Sequence, residues 1–277
     1  MTEKRGKVKP MGERIRVGVV GAGGRMGKEV VKMVLQDQAL ELVAAVDRSA
    51  GEVDAGSLVG IAATGVMVKS DLVEALAAAK PDVIVDFTTP ASVMENTVTA
   101  IQHGVRPVVG TTGLSVEQIE EIRSLCREKG IGAVIAPNFS IGAFLMMQFA
   151  KQAAKYLPNV EIIEYHGDQK LDAPSGTAVK TAELISEVRE EHRQGNPNEE
   201  EKIEGSRGGY YNGFRIHSVR LPGIFAQQEV IFGGNGESLK IRHDSYERAG
   251  YMPGVNLAVK KVMQLQELVY DFEHLMD

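Results

Sequence analysis

The 277-residue chain is 43% apolar, contains 30 glycines and one cysteine, and carries a formal net charge of −6. That size and apolar content allow one large domain or two modest ones with real cores. The charge argues against a nucleic-acid partner, and the lone Cys126 excludes an intrachain disulfide or a thiolate-rich zinc site. No run is long and apolar enough for a membrane span, and the basic, polar start lacks a signal-peptide core. Residues 1–13 read as a flexible leader, with Met11 as a second candidate start. The lone cysteine, read as a small core hydrophobe, fits a reducing, cytoplasmic location.

Ile15 to Val20 is a continuous apolar run ending at glycines, the pattern of a buried parallel strand. Gly24 to Leu35 is predicted helical, because Met26, Val30, Val31 and Val34 share a face. Leu42 to Val46 is the next strand, closed by Asp47. A helix over Leu72 to Ala79, a strand over Val83 to Phe87, a helix over Ser92 to His103 and a strand over Pro107 to Val109 follow. Ser115 with Gln118 opens a further helix by a capping box, and Ala133 to Ala136 is one more strand. This alternation implies a doubly wound parallel sheet covered on both faces.

Beyond Asn138 the pattern changes. Ile141 to Leu157 and Thr177 to Glu190 are predicted helices flanking a strand at Val160 to Tyr165. The Gly-, Asn- and Glu-rich stretch from Gln194 to Gly213 reads as a surface loop. Strands follow at 214–221, 228–233 and 238–246, with Asn235-Gly236 as a hairpin signal. An open mixed or antiparallel sheet is expected, hence an α+β second domain. Val255 to Leu275 is predicted helical and expected to pack back on the first domain. The domain boundaries are therefore set at 14–138 plus 250–277, and 139–249.

Gly21, Ala22, Gly23, Gly24, Arg25 and Met26 lie between the first strand and the first helix. Glycines allow a sharp turn and close approach of a pyrophosphate, which the helix N-terminus attracts. With Asp47 closing the second strand, the combination indicates a dinucleotide site of the Rossmann type. Asp47 can accept from a ribose hydroxyl pair. Arg48 can bind a 2′-phosphate or serve as a solvated surface charge, so NADH and NADPH are both expected cofactors. The loops Phe87-Thr88-Thr89-Pro90 and Gly110-Thr111-Thr112-Gly113 fall at carboxyl ends of strands, where open parallel sheets bind ligands.

The segment Glu164 to Ala178, EYHGDQKLDAPSGTA, concentrates chemistry. His166 carries an imidazole that can donate a proton. Lys170 supplies positive charge. Ser175, Gly176 and Thr177 stand at the predicted start of a helix, a carboxylate cradle. Together they describe a site that reduces a small anionic imine. No metal constellation is visible.

On these residues the chain resembles the 4-hydroxy-tetrahydrodipicolinate reductase family, long called dihydrodipicolinate reductases. The family segment has the form E-x-H-H-x-x-K-x-D-A-P-S-G-T-A, and the likeness continues through GAGGRMG, DFTTP, GTTG, APNFS and IHSVR. The resemblance implies NAD(P)H-dependent reduction of 4-hydroxy-tetrahydrodipicolinate to tetrahydrodipicolinate in diaminopimelate and lysine biosynthesis. Hydride would go to ring C4, with the substrate dicarboxylate held across an interdomain cleft. Gly21 to Met26 would hold the pyrophosphate, and Asp47 and Arg48 the adenosine ribose. Gly110, Thr111 and Thr112, with Pro137, Asn138, Phe139 and Ser140, would line the nicotinamide side. His166 would be the proton donor, assisted by Lys170, and Gly176 and Thr177 would bind a substrate carboxylate. A homotetramer assembled through the second domain is implied. One departure stands out: Gly167 replaces the second histidine, a substrate-binding residue. Arg220, Arg242 and His243 are candidate replacements. Other readings of the same motifs are a reductase of a different anionic carbonyl or imine, and a nucleotide-sensing protein.

Overall fold

The computed structural model describes residues 13–276; residues 1–12, with most of the expected leader and Met11, lie outside the described residues. The chain divides into two compact units, one formed by the residues up to Phe139 together with those from Tyr251, the other by Ser140–Gly250.

The first unit runs β1 (Ile15–Val20), α1 (Arg25–Gln36), β2 (Leu40–Val46), α2 (Ala55–Leu58), β3 (Val68–Lys69), α3 (Leu72–Ala79), β4 (Val83–Asp86), α4 (Val93–Gln102), β5 (Arg106–Val109), α5 (Val116–Lys129) and β6 (Ala133–Ile135). The second contributes α6 (Ile141–Ala154), β7 (Asn159–His166), α7 (Gly176–Ser186), β8 (Gly209–Tyr211), β9 (Phe214–Arg220), β10 (Ala226–Gly234) and β11 (Glu237–Ser245). The chain then returns to the first unit with α8 (Met252–Val262), β12 (Leu268–Tyr270) and α9 (Glu273–Met276).

The seven strands of the first unit form one sheet in the order β12-β6-β5-β4-β1-β2-β3, with every neighbouring pair parallel. Val17, Val19, Val83, Val85, Val108 and Val109 have no exposed surface, so these strands need apolar residues on both faces. The chain winds outward from β1 through β2 and β3, and from β4 through β5 and β6 in the other direction. The crevice at the carboxyl ends of β1 and β4 is thus a topological switch point.

The predicted helix over Val255 to Leu275 is corrected by the structure. Helix α8 stops at Val262, and Leu268–Tyr270 pairs in parallel with β6 at the sheet edge. An unpaired edge strand offers a row of free backbone groups, and Leu268, only 3% exposed, completes the pairing with an apolar side chain. Helix α8 is itself tied to α1: Asn256 Nδ2 and Lys260 Nζ donate to Asp37 Oδ2 at 2.7 and 2.6 Å. These bonds, led by that from Lys260, lower the Asp37 pKa from 3.8 to about 2. A folded-state pKa below the unfolded one adds stability that is present above the unfolded value and is lost as pH falls through the folded one. Asp37→Asn should therefore melt below the parent near neutral pH, with the gap closing as the pH is lowered below about 4. A gap that is constant with pH would contradict this.

The second unit carries a five-stranded sheet in the order β11-β10-β7-β9-β8, mixed because β7 and β9 are parallel and the other pairs antiparallel. Helices α6 and α7 cover one face, where Val160, Ile162, Phe214, Ile216, Val230 and Phe232 pack against Ala150, Ala154, Ala178, Ala182 and Ile185. Asn235-Gly236 does turn β10 into β11. Part of the expected loop at 194–213 is strand: β8 pairs with β9 through Asn212-Gly213, both at positive φ (43° and 89°), as a two-residue hairpin turn requires.

Candidate functional site

In the first unit the glycine turn leaves β1 at Gly21, whose φ is +80°, and whose Cβ, if present, would lie 2.6 Å from the Phe87 carbonyl oxygen. At Gly27 a Cβ would collide with the Gly21 carbonyl, so only glycine lets α1 pack against the turn. Gly24 is the N-cap of α1, with no side-chain capping bond and no acidic residue in the first turn. The N–H groups and positive dipole end of this helix are left for an anion. Ala22 is wholly buried, while Arg25 is exposed and Met26 half-buried.

Asp47 clamps this turn. Its Oδ2 accepts from Gly23 N at 2.8 Å, and its Oδ1 accepts from Ser49 N, Ser49 Oγ and Ala50 N at 2.8, 2.8 and 3.1 Å. Burial opposes its charge, but these hydrogen bonds outweigh it and hold the carboxyl below its ordinary pKa. Only Oδ2 keeps an open lone-pair direction, so Asp47 can accept one further hydroxyl there. Arg48 is exposed and has no ion pair among the described residues. A crevice of about 530 Å³ is bordered by Gly21, Gly24, Asp47, Arg48, Leu72, Phe87, Thr88 and Asn96. A turn that no Cβ obstructs, an uncapped helix start and a crevice of this volume fit a dinucleotide.

The two threonine loops are joined by a residue that motif reading missed. Asp86, at the end of β4, is fully buried. Its Oδ1 accepts from Thr88 N, Thr88 Oγ1 and Thr111 Oγ1 at 2.9, 2.7 and 2.8 Å, and its Oδ2 from Asn96 Nδ2 at 2.8 Å. One carboxylate thus sets the loop after β4 against the loop after β5. Gly110 packs so closely on Phe87 that a Cβ there would enter the ring. Thr111 is buried and Thr112 exposed.

The predicted stretch Pro137 to Ser140 divides. Pro137 is exposed and Asn138 half-buried. Phe139 is 2% exposed and packs edge-on against Phe87 and Phe272 at centroid distances of 6.1 and 5.9 Å. It is a core aromatic, leaving only its backbone for ligand contact. Ser140 caps α6 through Ala143 N at 3.2 Å and meets His243 Nε2 at 3.2 Å.

In the second unit His166 and Glu164 stand two residues apart on β7, hence on one face of the strand. His166 Nδ1 lies 2.5 Å from Glu164 Oε2. Glu164 is 0% exposed, and Arg220 donates to both its oxygens, NH2 to Oε1 at 2.7 Å and NH1 to Oε2 at 3.0 Å. Burial penalises this carboxylate, yet hydrogen bonds from His166, Arg220 and Ser218 bring its pKa down to about 2. Lys170 Nζ donates to Asp172 Oδ1 at 2.8 Å. After a cis Ala173-Pro174 bond, Ser175 caps α7 through Ala178 N at 3.3 Å. Gly176 follows in open space, with Thr177 beside it half-buried. The strand end, the loop and the helix start therefore bring an imidazole, an ammonium and a serine-capped helix start into one unit.

The chain is similar to known proteins along nearly its whole length. Residues 15–139 match the model of the dihydrodipicolinate reductase N-terminus, and residues 142–276 that of the dihydrodipicolinate reductase C-terminus. The chain belongs to the dihydrodipicolinate reductase family. It is 57% identical over 263 residues to 4-hydroxy-tetrahydrodipicolinate reductase of Listeria monocytogenes serotype 4b (strain CLIP80459), covering 95% of this chain and 100% of that one. Identity to the Geobacillus kaustophilus (strain HTA426) enzyme of the same name is 53%, covering 95% and 99%. A dipicolinate-bound dihydrodipicolinate reductase from Paenisporosarcina sp. TG-14 superposes with a TM-score of 0.85 at 49% identity, covering 94% of this chain and 99% of that one. An amine dehydrogenase from Mycobacterium smegmatis shares the fold, with a TM-score of 0.64 at 17% identity.

Against the family pattern, each of the three candidate replacements for the missing histidine is already engaged elsewhere, and Arg220 keeps only a buried Nε–H without a partner among the described residues. The NH1 and NH2 groups of Arg220 are occupied by Glu164 and by the carbonyls of Val219 and Asp172. Arg242 pairs with Asp244 and lies over the Tyr165 ring, and Tyr165 alternates to the sheet face opposite Glu164. His243 is engaged with Ser140, and burial lowers its pKa. Glu164 was legible as the first letter of the motif, but its role needed Arg220, 56 residues away in sequence. No group of three or more His, Cys, Asp or Glu among the described residues could hold a metal ion.

Proposed function

We infer that the chain is a 4-hydroxy-tetrahydrodipicolinate reductase. It converts 4-hydroxy-tetrahydrodipicolinate, NAD(P)H and a proton to tetrahydrodipicolinate, NAD(P)⁺ and water, a step toward diaminopimelate and lysine. The observation that carries this reading is His166 on a buried carboxylate beside the open start of α7, in a chain matched over both family models.

Gly21 to Met26, Asp47 and Arg48 hold the pyrophosphate and adenosine ribose in this reading, and Gly110 to Thr112 with Pro137 to Ser140 border the nicotinamide. The bound dinucleotide supplies hydride, which is added at ring C4 once water has left the 4-hydroxy compound. Gly176 and Thr177 bind one substrate carboxylate at the α7 N-terminus, aided by the Ser175 cap, where dipole and N–H groups favour an anion. Lys170 can exchange Asp172 for substrate at little cost, because an exposed ion pair contributes about 0–1 kcal/mol. His166 then protonates the enamine. The units therefore serve as a dinucleotide-binding part and a substrate-binding part.

The face of the five-stranded sheet opposite α6 and α7 suits a homotetramer interface, since Ile163, Val219 and Ile231 are half-buried among charged neighbours on it. Sedimentation measures this directly, and a monomer at micromolar concentration would end that part of the reading. A cytoplasmic location follows from the biosynthetic role.

The decisive experiment follows loss of NADH and NADPH absorbance with freshly generated 4-hydroxy-tetrahydrodipicolinate. Rapid oxidation is expected; cofactor binding without turnover would refute the reading. Arg48→Ala should raise the KM for NADPH about tenfold, the loss of one charge-assisted contact, and leave NADH unaffected. No effect on either cofactor would make Arg48 a solvated surface charge. Gly167→His tests the departure from the family. A Cβ there would lie 3.2 Å from the Ile224 carbonyl oxygen, a tight fit that a small loop shift relieves. Restoring a donor to a charged group should lower the substrate KM about tenfold. An unchanged or higher KM would show that position 167 does not reach the substrate.

A further inference from the structure

We propose that Glu164 is the positioning residue for the proton donor: it holds His166 by Nδ1, so that Nε2 takes up and delivers the proton, and Arg220 locks it in that role. This rests on the reading of His166 as proton donor.

Positions 160 and 162 of the same strand face are Val and Ile, packed in the core beneath α6 and α7. A further aliphatic residue at 164 would continue that core at no electrostatic cost. A carboxylate there is instead removed from water, which is expensive unless every acceptor site is filled. Here both oxygens are filled. Oε1 accepts from Arg220 NH2 at 2.7 Å and Ser175 N at 3.3 Å; Oε2 accepts from Arg220 NH1 at 3.0 Å and faces His166 Nδ1 at 2.5 Å.

The tautomer follows from this inventory. Arg220 and the backbone N–H of Ser175 can only donate, and the bidentate guanidinium keeps Glu164 ionised. An ionised carboxylate only accepts, so the hydrogen between it and His166 sits on Nδ1. In the neutral imidazole Nε2 is then bare, and it is the nitrogen that gains and loses the proton in each turnover.

Registration follows as well. Ser175 is the N-cap of α7, so the carboxylate that orients the imidazole also fixes the start of the helix that cradles a substrate carboxylate. Arg220 NH2 donates in addition to the Asp172 carbonyl at 2.8 Å, tying down the far end of the loop that carries Lys170. One ion pair between β7 and β9 thus sets donor, loop and cradle relative to each other.

Ring-nitrogen NMR of His166 in the intact protein reads the tautomer directly. Neutral His166 should carry its proton on Nδ1; a proton on Nε2 would overturn the proposal. Glu164→Gln should lower kcat about 10- to 100-fold, as loss of a partner that orients an active group does, with NADH affinity within about threefold of the parent. A kcat within about twofold of the parent would also overturn it. If that variant does not fold, the tautomer measurement on the parent protein decides. Comparison with His166→Ala separates the two levels. A dead His166→Ala beside a fully active Glu164→Gln would refute the positioning role alone, whereas an active His166→Ala would refute the donor reading beneath it.

Discussion

Replacing His166 with Ala should lower kcat by about 10²- to 10⁴-fold, the usual contribution of a positioned general acid. NADH affinity should be unchanged, because the glycine turn, Asp47 and the crevice are built from first-unit residues, whereas His166 belongs to the second unit. Substrate KM should change little, because the proposed carboxylate contacts come from the α7 start and Lys170. The fold should tolerate the change: His166 is half-buried at the end of β7 and Ala supports a strand end adequately. Glu164 keeps Arg220 as its counter-ion, so the truncation leaves no unpaired buried charge. Steady-state kinetics with a cofactor-binding titration checks this. Equal losses in kcat and NADH affinity would deny His166 the donor role.

Asp86→Ala should have the second largest effect, on stability and cofactor binding together. The substitution strands the Thr88 N–H, the Thr88 and Thr111 hydroxyls and the Asn96 amide around a buried void. Hydroxyls can turn to other acceptors, but a backbone N–H cannot, and each stranded buried group costs about 1–3 kcal/mol. Thr88 N also donates to Thr111 Oγ1 at 2.7 Å, which offsets part of the loss. The net should be about 2–4 kcal/mol, and with about 2–4 °C lost per kcal/mol in a chain of this size the melting temperature falls by several degrees. Released from their shared anchor, the loops after β4 and β5 no longer hold the crevice, so NADH affinity should fall about tenfold or more. Calorimetry and fluorescence titration measure both. Stability lost with affinity intact would show that these loops do not contact the cofactor.

The parallel sheet of the first unit was legible because strands buried on both faces must be continuous apolar runs, and β1, β2 and β4 through β6 are written that way. The glycine turn was legible for a steric reason: at Gly21 and Gly27 no side chain fits, whatever the rest of the chain does. Segment 164–178 declared its chemistry because His, Lys and the helix-capping Ser lie within one loop. Short elements escaped. A two-residue β3 and three-residue β8 and β12 show no periodicity, and they exist because a neighbouring strand edge satisfies their backbone. The helix expected through Leu275 failed for that reason: the partner that makes Leu268–Tyr270 a strand is β6, more than 130 residues earlier.

Residue roles divide along the same line. The sequence by itself determined the fold class, the glycine turn and the residue types of the candidate site, because those depend on local sterics, local periodicity and adjacent side chains. Only the tertiary structure decided that Asp47 is first a clamp on its own loop, that Phe139 is core, that Asp86 unites two loops, and that Arg220 serves Glu164. Each of these is a hydrogen bond or packing contact between residues far apart in the chain, and such partners are chosen by the packing of whole elements, which no local pattern encodes.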